Sequence, residues 1–199
     1  MARIVQKFGG TSVADIERIK NAAQLAKMEY DAGHQVVVVV SAMAGVTNQL
    51  VDYVNQIDNT FDPKEYDAVV STGEQSNAGL MALAIKSLGI KSRSWLGWQI
   101  PIQTDAIHEK ARITNIATEE LNKCLGEGEI AVIPGFQGIS PENRITTLGR
   151  GGSDLTAVAL AGALKADRCD IYTDVDGIYT TDPRIVNKAQ KLEKITYEE

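Results

Sequence analysis

Gln35-Val36-Val37-Val38-Val39-Val40-Ser41 places five valines in a row. β-Branched side chains pack well on a pleated surface. A run that is apolar at every position has no face to offer to water, which is the pattern of a strand buried on both sides, as in parallel sheets covered by helices. The flanking sequence agrees. Ile4 to Phe8 forms a first strand that ends at Gly9-Gly10. Between the two, Val13 to Ala32 reads as a helix, with Ile16, Ile19, Ala23 and Ala26 recurring on one face and Gly33 stopping it. Strand, helix and strand in this order predict an α/β fold with a largely parallel sheet.

The alternation continues downstream. Ser41-Ala42-Met43-Ala44-Gly45 leads to a helix near Thr47 to Gln56, and the polar stretch Asn59 to Lys64, with Pro63, connects two helices. A helix is predicted over Glu74 to Leu88, strands over Lys91 to Leu96 and Ile130 to Ile133, and a helix over Thr114 to Leu125 between them. Leu155 to Leu164 reads as a helix and Asp170 to Thr173 as a strand, with a sharp turn at Pro183. With no repeat or linker, the 199 residues form one domain or a large part of one. Thr196-Tyr197-Glu198-Glu199 has the spacing of a capping box, either the opening of a helix that the chain does not go on to build or a frayed tail.

A formal charge of -6, with basic residues scattered among more numerous acidic ones, argues against a nucleic-acid groove. The longest apolar run is far too short to span a bilayer, and the N-terminus lacks the pattern of a signal peptide. Cys124 and Cys169 lie in no paired motif, so they read as small apolar thiols in a reducing compartment, and the chain as cytoplasmic.

Three stretches carry chemistry. Gly149-Arg150-Gly151-Gly152-Ser153-Asp154 combines open backbone, a cation, a hydroxyl and a carboxylate immediately before a helix, whose positive end suits an oxyanion. Lys7-Phe8-Gly9-Gly10-Thr11-Ser12 and Thr173-Asp174-Val175-Asp176-Gly177 sit at strand ends, where open α/β sheets place ligands. Together they point to a nucleotide-dependent enzyme, although neither a Walker-type loop nor a dinucleotide fingerprint is present. Lys7 can act as a point charge on phosphoryl oxygens with the neighbouring glycine N–H groups around them. Arg150 can grip a carboxylate through paired hydrogen bonds. Asp154 can hold a lysine ammonium or orient a nucleophile, since Ser153 is available to cap the helix. Glu74, after Ser71-Thr72-Gly73, either recognises an ammonium group or complements a helix dipole. His34 and His108 have no readable nucleophile partner and are taken as structural or exposed.

Lys-Phe-Gly-Gly-Thr-Ser at 7–12, Val-Ser-Ala-Met-Ala-Gly-Val-Thr-Asn at 40–48, Ser-Thr-Gly-Glu-Gln at 71–75, Gly-Arg-Gly-Gly-Ser-Asp at 149–154 and Thr-Asp-Val-Asp-Gly-Ile-Tyr-Thr-Thr-Asp-Pro-Arg at 173–184 jointly resemble the aspartokinases. The resemblance covers essentially the whole chain. It implies the three-layer αβα sandwich of the amino acid kinase fold, with a mostly parallel central sheet. It also implies phosphorylation of the side-chain carboxylate of L-aspartate by ATP with Mg2+, the entry step to lysine, threonine, methionine and diaminopimelate. By motif position, Lys7 stabilises the phosphoryl group in transit and Asp154 organises that lysine. Gly9, Gly10 and Ser41 lie near the ATP phosphates, and Thr173, Asp174, Tyr179 and Arg184 border the nucleotide. Arg150 and Ser153 hold the α-carboxylate of aspartate, Glu74 its ammonium, and Thr47 lies along the substrate. No metal ligand among the side chains is implied. A carboxylate nucleophile is already ionised at neutral pH, which fits the lack of a histidine base.

The same resemblance implies a kinase domain that continues past Glu199, followed by paired ACT regulatory domains, and a homo-oligomer in the full-length form. The chain is therefore expected to be an N-terminal piece, substrate half intact and nucleotide half nearly complete. Gln75-Ser76-Asn77-Ala78-Gly79 is more polar than the family pattern and is expected to affect helix packing rather than substrate contacts. Two rival readings remain: a non-catalytic module of the same fold that binds aspartate or nucleotide, and a kinase acting on a different small carboxylate.

Overall fold

A computed structural model describes residues 1–174 and 190. The valine run is β2 (Gln35–Val40), the middle strand of a five-stranded sheet. Beside it lies β1 (Arg3–Phe8), in parallel register with Val36 opposite Ile4 and Val40 opposite Phe8. A 3-10 turn (Gly10–Val13) and α1 (Ile16–Asp31) connect the two strands. The chain then forms α2 (Val46–Ile57), α3 (Pro63–Val70), α4 (Thr72–Ser87) and the short strand β3 (Ser92–Ser94). After β4 (Ile102–Thr104), β5 (Ile113–Ile116) and α5 (Glu119–Gly126) it returns to the central sheet as β6 (Ile130–Pro134). β7 (Gln137–Ile139), β8 (Ile145–Thr147), α6 (Gly152–Ala163) and β9 (Arg168–Tyr172) follow. The central order is β3-β6-β2-β1-β9, and every pairing in it is parallel.

The period of two in β2 divides its valines between two cores. Val36, Val38 and Val40 pack with Ile19, Ala23 and Ala26 of α1 and with Ala78, Met81 and Ile85 of α4. Val37 and Val39 face the opposite side, with Leu121 and Leu125 of α5 and Ala157 and Leu160 of α6. All five are at most 1% exposed. Each contributes roughly 1.5–3 kcal/mol of burial, so the strand is held from both sides and the layers are helix, sheet, helix.

Several predicted boundaries move. α1 starts at Ile16 rather than Val13, because the Asp15 side chain accepts from the Arg18 N–H and caps it there. The connection near Asn59 to Lys64 ends one residue before Pro63, which opens α3 behind an Asp62 cap. The helix predicted over Thr114 to Leu125 is wrong in its first part: Ile113–Ile116 is a strand, and α5 begins at Glu119. The isoleucines at 113 and 116 suit either state locally. Pairing with β4, which sets Ile116 opposite Ile102, decides it.

β4 and β5 belong to a second sheet, ordered β5-β4-β7-β8, that the sequence reading did not anticipate. Its strands are three or four residues long, too short for a periodic signal. This sheet sets β8 directly before the loop 148–151, so it positions one wall of the site described next. The predicted turn at Pro183 and the capping box at Thr196 lie outside the described residues.

Candidate active site

Parallel strands end together, and the loops after them converge. Lys7 near the end of β1, Ser41 just past β2, Thr47 on α2, Glu74 on α4, and Gly149, Arg150, Ser153 and Asp154 around the start of α6 line one cleft of about 240 Å3. Phe136, between β6 and β7, completes the wall. These are side chains separated by up to 147 positions in sequence, brought together at the carboxyl edge of the sheet. Lys7 is almost fully buried, and its Nζ lies 2.6 Å from Asp154 Oδ1. The contact is a charge pair more than an aligned hydrogen bond, and the Asp154 side chain remains 47% exposed on the cleft side. α6 is N-capped by Gly151 with no side-chain cap, so Ser153 does not serve as the cap the sequence suggested. It sits inside the first turn and is 8% exposed.

The cleft is electrostatically uneven. Arg150 is exposed and has no ion-pair partner among the described residues, which leaves its guanidinium available to an anion. Glu74 is 4% exposed. Burial pushes its carboxyl up to about 7, and a backbone hydrogen bond from Ala42 only partly offsets that. One of its oxygens, Oε2, has no hydrogen-bond partner. A buried carboxyl with a free oxygen, lining a cleft, is suited to accept a cationic group that restores its ionisation. Among the described residues there is no cluster of three or more His, Cys, Asp or Glu that could hold a metal, and no helix long and apolar enough to cross a membrane.

This architecture can be set beside known proteins. The profile of the amino acid kinase family matches residues 2–199. The chain belongs to the amino acid kinase family. It is 54% identical to an aspartate kinase of Stutzerimonas stutzeri over 199 residues, all of this chain and 48% of that protein. Among solved structures, aspartate kinase from Synechocystis superimposes with a TM-score of 0.78 at 48% identity, covering 94% of this chain and 31% of that one. E. coli aspartokinase III, in complex with aspartate and ADP, gives a TM-score of 0.81 at 31% identity, covering 95% and 53%. The chain spans about half the length of the curated relatives it matches.

In this member of the amino acid kinase family, not every expected residue enters the cleft. Gly9 donates its N–H to the Tyr172 carbonyl at 2.9 Å, so that amide is already committed. A Cβ at Gly9 would stand 3.2 Å from the same carbonyl and 3.5 Å from Lys7 Nζ, so the glycine gives clearance to the lysine. Gly10 opens the 3-10 turn, close against the Ala42 carbonyl. Thr173 and Asp174 are exposed beyond β9, and the Thr173 hydroxyl donates to Asp174. Thr173 adjoins Gly9, and neither residue lines the cleft. Tyr179 and Arg184 lie outside the described residues.

Both cysteines are free; burial, with Glu129 adding to it, pushes the Cys124 thiol up to about 12, and burial also raises Cys169, so neither is an activated nucleophile.

Other residues matter that the sequence reading did not single out for the site. Asn77 donates to the Ser41 carbonyl at 2.6 Å, and Gln75 donates to Gln137 at 3.0 Å. The polar stretch after Glu74 thus ties α4 to the loop after β2 and to β7, and Asn77 bears on a cleft residue rather than on packing alone. Its signal was the polarity itself, in a helix whose neighbours are apolar. His108, taken as structural or exposed, has a buried side chain bonded to Asp67.

Proposed function

We propose that the chain is the substrate-binding part of an aspartate kinase, which transfers the γ-phosphoryl group of ATP to the side-chain carboxylate of L-aspartate. The observation that carries this reading is the single cleft shared by the Lys7–Asp154 pair, the exposed Arg150 and the buried Glu74. An α-amino acid needs one anion site and one cation site, set apart at a fixed distance. Arg150 and Ser153 would take its α-carboxylate, Glu74 its ammonium, and Thr47 would lie alongside. The relatives named above, one of them in complex with aspartate and ADP, support the same acceptor and nucleotide.

The chemistry asks little of the protein in proton transfer. An oxygen of the ionised side-chain carboxylate attacks the γ-phosphorus, the bond to the ADP oxygen breaks in line, and no proton moves. Catalysis rests on positioning and on neutralising charge. Lys7 would face the equatorial phosphoryl oxygens, held there by Asp154. Gly10 and Ser41 would approach the phosphates, with Gly9 clearing space for the lysine. Thr173, Asp174, Tyr179 and Arg184 would border the nucleotide. Mg2+ would enter with ATP on its phosphate oxygens as part of the substrate. The reading places the protein in the cytoplasm, as a homo-oligomer in its full-length form, at the entry to lysine, threonine, methionine and diaminopimelate synthesis.

The test is ADP release from MgATP with and without L-aspartate, with hydroxylamine trapping the acyl phosphate. Aspartate-dependent release with hydroxamate formation is expected, and Lys7→Ala should lower kcat far more than aspartate affinity, because its partner charge develops during transfer. Aspartate binding without ADP release would favour the second reading, a binding module without turnover. Absence of both binding and release would overturn the proposal.

A further inference from the structure

Asp67 lines no part of the cleft, yet it is 0% exposed, and no lysine or arginine pairs with it among the described residues. It sits on α3, and its carboxylate collects donors from two other segments. His108 Nδ1 lies 2.6 Å from Oδ2, the Glu109 N–H 3.2 Å from both oxygens, and the Thr147 hydroxyl 2.6 Å from Oδ1. A buried carboxylate is costly unless its lone pairs are filled, and here they are filled by groups that have little else to bond. The His108 side chain is 7% exposed and its Nε2 has no partner among the described residues, so Asp67 is its anchor.

Every one of these donors leads to the loop that carries Arg150. Thr147 ends β8, three residues before Arg150. Glu109 is held at φ 64, a left-handed conformation disfavoured for a residue with a side chain, while its N–H points at Asp67. Gly149 packs on that strained turn: it has φ +79, and a Cβ there would stand 3.2 Å from the Glu109 carbonyl and 3.7 Å from the Lys110 Cα. The Ala111 N–H then donates to the Thr147 carbonyl at 2.9 Å, tying the turn to β8 a second time.

We propose that Asp67 is the positioning residue of the Arg150 loop. By binding His108, Glu109 and Thr147 at once it fixes Gly149 against the 109–110 turn, and so sets where Arg150 meets the acceptor's α-carboxylate. The proposal rests on the reading of the cleft as an amino-acid site.

Thr147→Val keeps the side chain's shape and deletes the hydroxyl, Thr147→Ser restores it, and Asp67→Asn removes the charge. In the full chain, the KM for L-aspartate should rise about tenfold in Thr147→Val and Asp67→Asn, with kcat and the KM for ATP within about twofold of the parent and Thr147→Ser close to it. An unchanged aspartate KM in both variants would overturn the proposal, as would equal rises in the KM of both substrates, which a merely structural role would give.

A second readout needs no substrate. The Gly152 and Asp154 amides bond to the Gly149 and Gly151 carbonyls, and their hydrogen exchange should speed up about tenfold in Thr147→Val. Identical protection in parent and variant would refute the clamp. If the unsubstituted protein neither binds nor phosphorylates an amino acid, it is the reading of the cleft that has failed, and exchange at these amides alone decides the role of Asp67.

Discussion

Glu74 shows how much a single buried atom pair can set. Its carboxyl is raised from an ordinary value of 4.5 to about 7, chiefly by burial. A raised acid binds its proton more tightly in the folded state, so its contribution to stability is present below pH 4.5 and is lost as pH rises through 7. Glu74→Gln should therefore leave stability near neutral at pH 4 and increase it at pH 8, by up to roughly 3 kcal/mol in the ligand-free protein. Urea denaturation of parent and variant at the two pH values reads this directly, and an equal difference at both would show that ionisation of Glu74 is not the cause. The same residue predicts pH-dependent recognition. An ammonium ligand needs the ionised form, so affinity for L-aspartate should strengthen as pH rises from 6 to 8, and the Gln variant should lose that dependence. Titration calorimetry across this range checks it.

At the scale of the element, β2 is the decisive piece, because it has two cores to satisfy. Val37 and Val38 face opposite layers and are equally buried. Val37→Ala and Val38→Ala should each cost roughly 2–3 kcal/mol, lowering the urea midpoint with an unchanged m-value. A sheet covered on one face only would give one large loss and one near zero. α6 makes a contrasting point. Its start is set by Gly151 without a side-chain cap, and the charge pair between Asp154 in its first turn and Lys7 ties it to β1.

For the whole molecule, the cleft exists only because β1, the loop after β2, α2, α4 and the start of α6 meet at one edge of the sheet. A ligand that bridges them stabilises all of them together. L-Aspartate at about a hundred times its Kd should add about 2.7 kcal/mol of stability, seen as a raised Tm. Arg150→Ala should weaken that effect by about tenfold or more in concentration, since it removes a charge-assisted carboxylate contact. A Tm insensitive to aspartate in the parent chain would count against an amino-acid site here, and an Arg150→Ala response equal to the parent's would count against Arg150 as the carboxylate grip.

The sequence by itself determined the parallel sheet, through five valines that admit no exposed face, and the helices around it, through apolar spacing and stop glycines. It also marked Lys7, Arg150 and Asp154 as candidates for chemistry, because they stand beside glycines at a strand end or a helix start, while Glu74 stayed open between recognising an ammonium and complementing a helix dipole. Tertiary structure alone decided the rest. Ile113–Ile116 became a strand only by finding β4, and the four short strands of the second sheet carry too little local pattern to be read without their partners. Gly9 shows its role as clearance only once β9 brings the Tyr172 carbonyl to it. Asp67, His108 and Thr147 are separated by up to 80 positions, and nothing in their neighbours announces the contact. Hydrogen bonds between distant segments leave no period in a sequence, whereas burial of a strand or a helix face does.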